Sequence, residues 1–268
     1  MKRELVPEAL WQRMEPLLPK RRRHRKGGRP YADDRAALRG ILFVLKTGIA
    51  WEDLPTEVFG VSGITCWRRL NQWVKAGVFR KLQRKLLDEL GMRGRIDWSR
   101  ASFDSGSVRA PKGGPETGKN PTDRGKKGSK HHLVVDRKGL PLAVLLSAAN
   151  VHDMKRALPL VDAIPPVHTG RRGRPRRRPK KAHGDKGYDY AVIRRGLCER
   201  RIKPRIARKG VESSQKLGRH RWVVERSLSW LHHLKRLRIR EERRADLHLA
   251  LLQLGCCVIL QRRLPRRL

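Results

Sequence analysis

Three carboxylates sit where a strand or a helix would hold them in place: Asp104, Asp185 and Glu225. Asp104 closes the apolar stretch Ala101-Ser102-Phe103, and Asp185 closes Lys181-Ala182-His183-Gly184, with His183 two residues back on the same strand face. Glu225 lies in Trp222-Val223-Val224-Glu225-Arg226-Ser227-Leu228, a helical run whose other charges are almost all positive. At 100° per residue, Arg221, Glu225 and His232 fall at about 0°, 40° and 20° around that helix and form one polar stripe. Three carboxylates converging on one point repel one another unless divalent cations neutralise them, and oxygen donors favour Mg²⁺ or Mn²⁺. Two such ions ~3.5–4 Å apart activate a hydroxyl and stabilise the leaving oxygen of a phosphodiester. The rival reading makes Asp104 and Asp185 strand-end caps and pairs Glu225 with Arg221 at i, i+4.

Other groups point to weaker chemistry. His131, His132, His152 and His183 have no cysteines at ligand spacing beside them, so turn and strand histidines are favoured over a zinc site. Gly113-x4-Gly118-Lys119 starts like a phosphate loop, but Asn120 stands where Ser or Thr is required. Asp153 reads as a helix cap. Arg172-Gly173-Arg174-Pro175 resembles the arginine-in-minor-groove core of an AT-hook, with a basic insert making nonspecific phosphate contacts as the favoured alternative. Cys66, Cys198, Cys256 and Cys257 contain no CxxC pair and are expected to be reduced core residues.

The elements that must carry these residues divide into two parts. Apolar residues recur at helical spacing from Leu5 to Leu18, and a basic run, Lys20 to Lys26, follows as linker or phosphate clamp. Asp33 and Asp34 cap a helix that ends near Thr47, with Gly48 as its stop. After a turn region with Pro55, Gly60 and Gly63, Thr65 is the predicted N-cap of a helix bearing Arg68, Arg69, Asn71 and Gln72, and a third helix runs through Leu90. That layout is helix-turn-helix-like, with those four side chains as candidate DNA readers. A plain helical bundle packed on Trp51, Trp67 and Trp73 is the alternative.

From Ile96 the pattern becomes α/β. Strands are predicted at Ala101–Asp104, His132–Asp136 and Leu140–Leu146, the last two joined by the hairpin signal Arg137-Lys138-Gly139, and later at Lys181–Asp185 and Lys203–Ala207. Helices are predicted from Asp153 to Ala163, Ala191 to Arg200, Arg219 to Arg240, and Leu247 to Leu260. The last is the most apolar stretch, but it is shorter than the ~20 residues that span a bilayer. No apolar leader follows Met1, so the chain is expected in the cytoplasm, with no membrane role. The formal charge of +40 calls for a polyanion, and nucleic acid fits better than an anionic membrane. Lys126, Lys127, Lys130, Arg172, Arg174 and Arg176 are candidate backbone contacts.

Several segments are similar to a known family in order along nearly the whole chain. Ser102-Phe103-Asp104-Ser105, the run Thr122 to His132, Asn150-Val151-His152-Asp153, His183-Gly184-Asp185-Lys186-Gly187-Tyr188-Asp189 and Arg219-His220-Arg221-Trp222-Val223-Val224-Glu225-Arg226 resemble the DDE transposases of bacterial insertion sequences, nearest the insertion sequence five family. The resemblance implies a small helical DNA-binding domain over 1–95. It also implies an RNase H-like catalytic domain over 96–268, with a basic insert near 169–181. Asp104, Asp185 and Glu225 match the metal-binding triad and Arg221 the arginine of the helix signature. Gly218 stands for that signature's tyrosine and His232 for its lysine. The implied activity is Mg²⁺- or Mn²⁺-dependent hydrolysis at the ends of the element. Attack of the freed 3′-hydroxyl on target DNA then follows, with no covalent enzyme intermediate. The implied partners are double-stranded DNA, at the element ends and the target, and a second copy of the chain. A remnant that binds DNA without cutting it is the alternative.

Overall fold

Apolar runs rich in valine and leucine flank Arg137-Lys138-Gly139, and they fold into two neighbouring strands of a six-stranded sheet. The computed structural model describes residues 4–20, 30–208, 210–211 and 218–265. Its strands are β1 (Ala101–Arg109), β2 (Gly118–Lys119), β3 (Lys127–Asp136), β4 (Pro141–Ala148), β5 (Lys181–Gly184) and β6 (Lys203–Ile206). β3 and β4 form the predicted hairpin. Gly139 takes φ 86° in its turn, a backbone region glycine enters without steric cost. The buried Asp136 carboxylate fixes the turn by accepting from the backbone N–H groups of Lys138, Leu140 and Asp97. β1 pairs antiparallel with β3 and parallel with β5, β5 pairs parallel with β6, and β2 pairs with β3.

The helices are α1 (Glu8–Met14), α2 (Asp34–Thr47), α3 (Thr56–Phe59), α4 (Gly63–Lys75), α5 (Val78–Met92), α6 (Met154–Asp162), α7 (Ala191–Glu199), α8 (Gly218–His232) and α9 (Ala245–Gln261). α2 follows its predicted limits: the Asp33 carboxylate accepts from Arg35 N–H at 2.9 Å, and Gly48 closes the helix at φ 78°. α9 is the predicted buried apolar helix, packed against α4, α5 and β4, so the helical region and the sheet share one core. Among the described residues no helix is long and apolar enough to cross a membrane. The basic run after Lys20 lies outside the described residues.

Several local expectations give way to tertiary contacts. β1 continues past Asp104 to Arg109, because β3 pairs with it down to Gly128, and Asp104 is therefore mid-strand. α4 begins at Gly63, and its cap is Ser62, whose Oγ accepts from Thr65 N–H at 3.3 Å. Thr65 is thus inside the first turn. Asp153 holds the N-cap position of α6 without a side-chain cap bond. α8 stops at His232 instead of reaching Arg240. The chain leaves the helix so that the fully buried Arg240 guanidinium can donate to the carbonyls of Pro115, Glu116, Glu242 and Arg243 and to Ser129 Oγ. Cys66, Cys256 and Cys257 are buried and free as expected, but Cys198 is exposed on α7.

The early start of α4 depends on a close backbone approach. A Cβ at Gly63 would lie 1.5 Å from the Trp51 carbonyl oxygen, a contact that only backbone movement relieves. Gly63→Ala is expected to lower unfolding free energy by about 2–3 kcal/mol, despite alanine's better helix propensity. Denaturant unfolding measures this; an unchanged midpoint would show that the turn before α4 yields freely.

Candidate active site

Register on neighbouring parallel strands brings two of the three acids together. Ser102 of β1 is paired with His183 of β5, so Asp104 and Asp185, each two residues further on, leave the same region of the sheet. Asp104 Oδ1 accepts from the Ser105 N–H at 2.8 Å. Asp185 Oδ1 accepts from the Gly187 N–H at 2.8 Å and caps a short 3₁₀ turn, Lys186–Tyr188. α8 crosses this face, anchored where Ser102 Oγ donates to the His220 carbonyl at 3.0 Å. It delivers Arg221, whose Nη2 lies 3.5 Å from Asp104 Oδ2 and 3.4 Å from Glu225 Oε1. One guanidinium therefore bridges the acid from β1 and the acid from α8.

Electrostatics join the third acid to this pair. Burial pushes the Asp104 carboxyl up to about 6; Asp185 and Glu225 add to the rise, while the Ser105 N–H and Arg221 oppose it. The Tyr188 hydroxyl is also raised, by burial first and then by the charges of Asp104, Asp153 and Asp185. Asp153 is a fourth carboxylate bordering the cluster, where Lys130 Nζ reaches its Oδ1 at 3.1 Å. The helix-cap reading kept Asp153 apart from the three acids; its carboxylate makes no cap bond and pairs with Lys130 instead.

Among the described residues no three His, Cys, Asp or Glu side chains close around a single metal-sized point; the cation at the cluster is Arg221. The chemistry of the donors nevertheless fits a hard divalent ion. All three acids are oxygen donors, and Asp104 is an acid whose burial opposes ionisation, a cost that a neighbouring cation offsets.

The remaining predicted residues are dispersed. His232 is turned from the polar stripe toward β3, its Nε2 3.4 Å from His131 Nδ1. Burial and then Arg238 lower its pKa, so the ring is neutral at pH 7 and not a phosphate grip like lysine. His131 continues the row to His248 at 2.8 Å. On α4, Arg68 and Gln72 are exposed. Arg69 is buried against Asp34 at 3.0 Å. Asn71, also buried, donates to the Trp67 carbonyl at 2.8 Å and accepts from Arg244 at 2.5 Å. Arg69 and Asn71 are thus fastened inside the protein and do not face a groove. Trp73 belongs to the core, whereas Trp67 is exposed. Lys126 and Lys127 are exposed, while Lys130 is held by Asp153 and the Val151 carbonyl. In the basic insert Arg172 and Arg174 are exposed, and Arg176 lies over the Trp98 ring at 5.7 Å.

Two family models match the chain: "Transposase DDE domain" over residues 99–260 and "Putative transposase of IS4/5 family" over residues 6–83. A relative from Burkholderia cepacia, "Putative transposase for insertion sequence element IS402", is 56% identical over 147 residues, 55% of this chain and 69% of the relative. A second from that organism, "Insertion element IS402 uncharacterized 16.2 kDa protein", is 49% identical over 123 residues, 45% of this chain and 84% of its own length. The solved "Mos1 transposase paired-end complex with left transposon end" aligns with 82% of this chain and 79% of its own at 11% identity, with a TM-score of 0.26, too slight a likeness to bear on the fold.

Proposed function

Because the chain belongs to the DDE transposase family, which matches more than half its length, we propose that it binds the ends of its insertion sequence and performs strand cleavage and strand transfer through Asp104, Asp185 and Glu225. The observation that carries this reading is that the acids at the end of β5 and on α8 both lie within electrostatic reach of Asp104 on β1, with Arg221 bridging Asp104 and Glu225. The sheet supports an RNase H-like architecture: among the described strands β3 alone runs against the other five.

Each residue then has a task. Asp104, Asp185 and Glu225 hold the divalent ions, Mg²⁺ or Mn²⁺ by their oxygen donors. Bound there, the ions supply Lewis acidity at the phosphoryl oxygens and ease deprotonation of the attacking hydroxyl. Arg221 orients Glu225 and Asp104 before DNA arrives and keeps the cluster from repelling itself apart. Water attacks the phosphodiester at the element end and frees a 3′-hydroxyl. That hydroxyl then attacks a target phosphodiester, one P–O bond forming as another breaks.

Residues 1–95 form the end-binding part. Arg68 and Gln72, with Trp67 and Lys75 on the same exposed side of α4, are the groups available to a groove. Lys126, Lys127, Arg172 and Arg174 are free to contact the backbone of double-stranded DNA. Two ends held together require at least a dimer.

A labelled fragment carrying the element's end, incubated with Mg²⁺ or with EDTA, tests the reading. The intact chain is expected to cut only with Mg²⁺, and Asp185→Asn not at all. Cutting by Asp185→Asn would remove that residue from the site. Tight binding without cutting under either condition would point to a DNA-binding remnant, with Gly218 and His232 the first positions to restore.

A further inference from the structure

The face that carries the acids continues backward along the strands into a second, differently charged place. Arg100 immediately precedes β1 there and Lys181 begins β5, His183 follows on β5, and Arg205 comes from β6 and Arg137 from the β3–β4 turn. His220 comes down from α8, its Nδ1 2.9 Å from Arg100 Nη1 and its ring 5.3 Å from that of His183. Together with Ser99 they are the described residues that line an open hollow of about 470 Å³. Four permanent cations face one space, and no acid is among the described lining residues. Among the described residues Asp97 is the carboxylate nearest them, 3.6 Å from Arg137 and within electrostatic reach of Arg100. Arg100 Nε is buried with no hydrogen-bond partner among the described residues.

So many like charges within one hollow repel one another, and a basic cluster of this kind is matched by phosphate oxygens. We infer that the hollow is a phosphodiester subsite that grips the DNA backbone a few nucleotides from the bond that is cut, an inference that rests on the reading of the acids as the cutting centre. Strand geometry sets the spacing. Arg100 precedes Asp104 by four residues and His183 precedes Asp185 by two, about 7–13 Å at ~3.3 Å per residue. At ~3.4 Å of rise per nucleotide that distance is about two to four nucleotides. Arg100, His220 and His183 lie on the same sheet face as Asp104, Arg221 and Asp185, so one strand of DNA can touch both places without crossing the sheet. The subsite fixes which phosphate reaches the acids.

The experiment measures binding of an end-bearing duplex, which needs no cutting, for the full chain and for Lys181→Ala/Arg205→Ala; both side chains are exposed. The double substitution is expected to lower the slope of log affinity against log salt by about 1.8, at ~0.9 per phosphate contact. Single methylphosphonates placed along the duplex should weaken the unaltered chain at one or two phosphates about two to four nucleotides from the cut, and the doubly substituted chain should be indifferent there. Lys181→Arg/Arg205→Lys should restore both behaviours. An unchanged slope, or the same methylphosphonate profile in both proteins, overturns the subsite. Orthophosphate binding that the double substitution abolishes while DNA binding is untouched would make this a free-phosphate site and overturn the assignment to DNA. Failure here with cutting that still depends on Mg²⁺ and Asp185 removes the subsite alone. Absence of cutting removes the proposed function and leaves the binding result standing.

Discussion

Asp104→Asn should abolish strand cleavage, by ~10³-fold or more, equivalent to ~4 kcal/mol in the barrier, and should at the same time make the metal-free protein more stable. The second effect follows from the pKa. In the unfolded chain the carboxyl titrates near 3.8, and in the fold burial and the neighbouring acids push it up to about 6. Between these values the folded form binds more protons than the unfolded form, so stability falls as pH rises through that window and stays lower above it. The cost at pH 7–8 is about 3 kcal/mol, the free energy of two pKa units. Asparagine carries no charge to desolvate and regains most of that. Thermal unfolding in EDTA from pH 4 to 8 should show a falling limb near pH 5–6 in the unaltered chain and a flatter one in the variant. Added Mg²⁺ should raise the midpoint of the former and leave the latter nearly unmoved, since a ligand stabilises only the state that binds it. A variant less stable than the unaltered chain at every pH would mean that the charge of Asp104 is already compensated by Arg221.

The three acids could be proposed from the sequence because each is marked locally: two follow apolar strand patterns and the third interrupts a basic helix. The hairpin, α2 and α9 were legible for the same reason, since Gly139, Gly48 and an unbroken apolar run determine their limits within a few neighbouring residues. What escaped depends on partners distant in sequence. A chain with 65 Lys and Arg gives no local sign of which ones are buried. Arg69 turns inward because Asp34 and Tyr31 are there, and Asn71 because Arg244 reaches it. The length of β1 was hidden because Ser105-Gly106-Ser107 reads as loop until β3 pairs with it. The end of α8 was hidden because only the fold assembles the carbonyls that hold Arg240.

Glu242→Gln should be the most destabilising conservative change in the chain, and its effect should appear in the helical region, not beside the mutated residue alone. Glu242 and Arg236 are both buried, paired at 2.9 Å, their side chains 2% and 6% exposed. Burial raises the Glu242 carboxyl, but His248 and Arg236 outweigh it and hold the group below the ordinary carboxylate range. Arg236 extends the connection, donating from Nη1 to the Ile49 carbonyl at 2.8 Å and lying 5.8 Å from the Trp51 ring centre. The pair therefore ties the loop after α8, behind the acid-bearing helix, to the C-terminal end of α2. Removing the carboxylate charge leaves a buried guanidinium without its counterion, which costs about 3–5 kcal/mol and, in a chain of this size, on the order of 10 °C in Tm. Amide exchange at Gly48 to Trp51 should quicken along with it. The double change Arg236→Met/Glu242→Leu removes both charges and should recover most of the loss, because apolar replacements of similar volume need no desolvation. The carboxylate stabilises above its unfolded pKa, and that contribution is lost as pH falls through its lowered folded value, so the acid limb of stability should be shallower in Glu242→Gln. If Glu242→Gln unfolded with the unaltered midpoint while exchange at Ile49 stayed slow, the attachment of α2 would rest on the shared apolar core of α4, α5 and α9 and not on this ion pair.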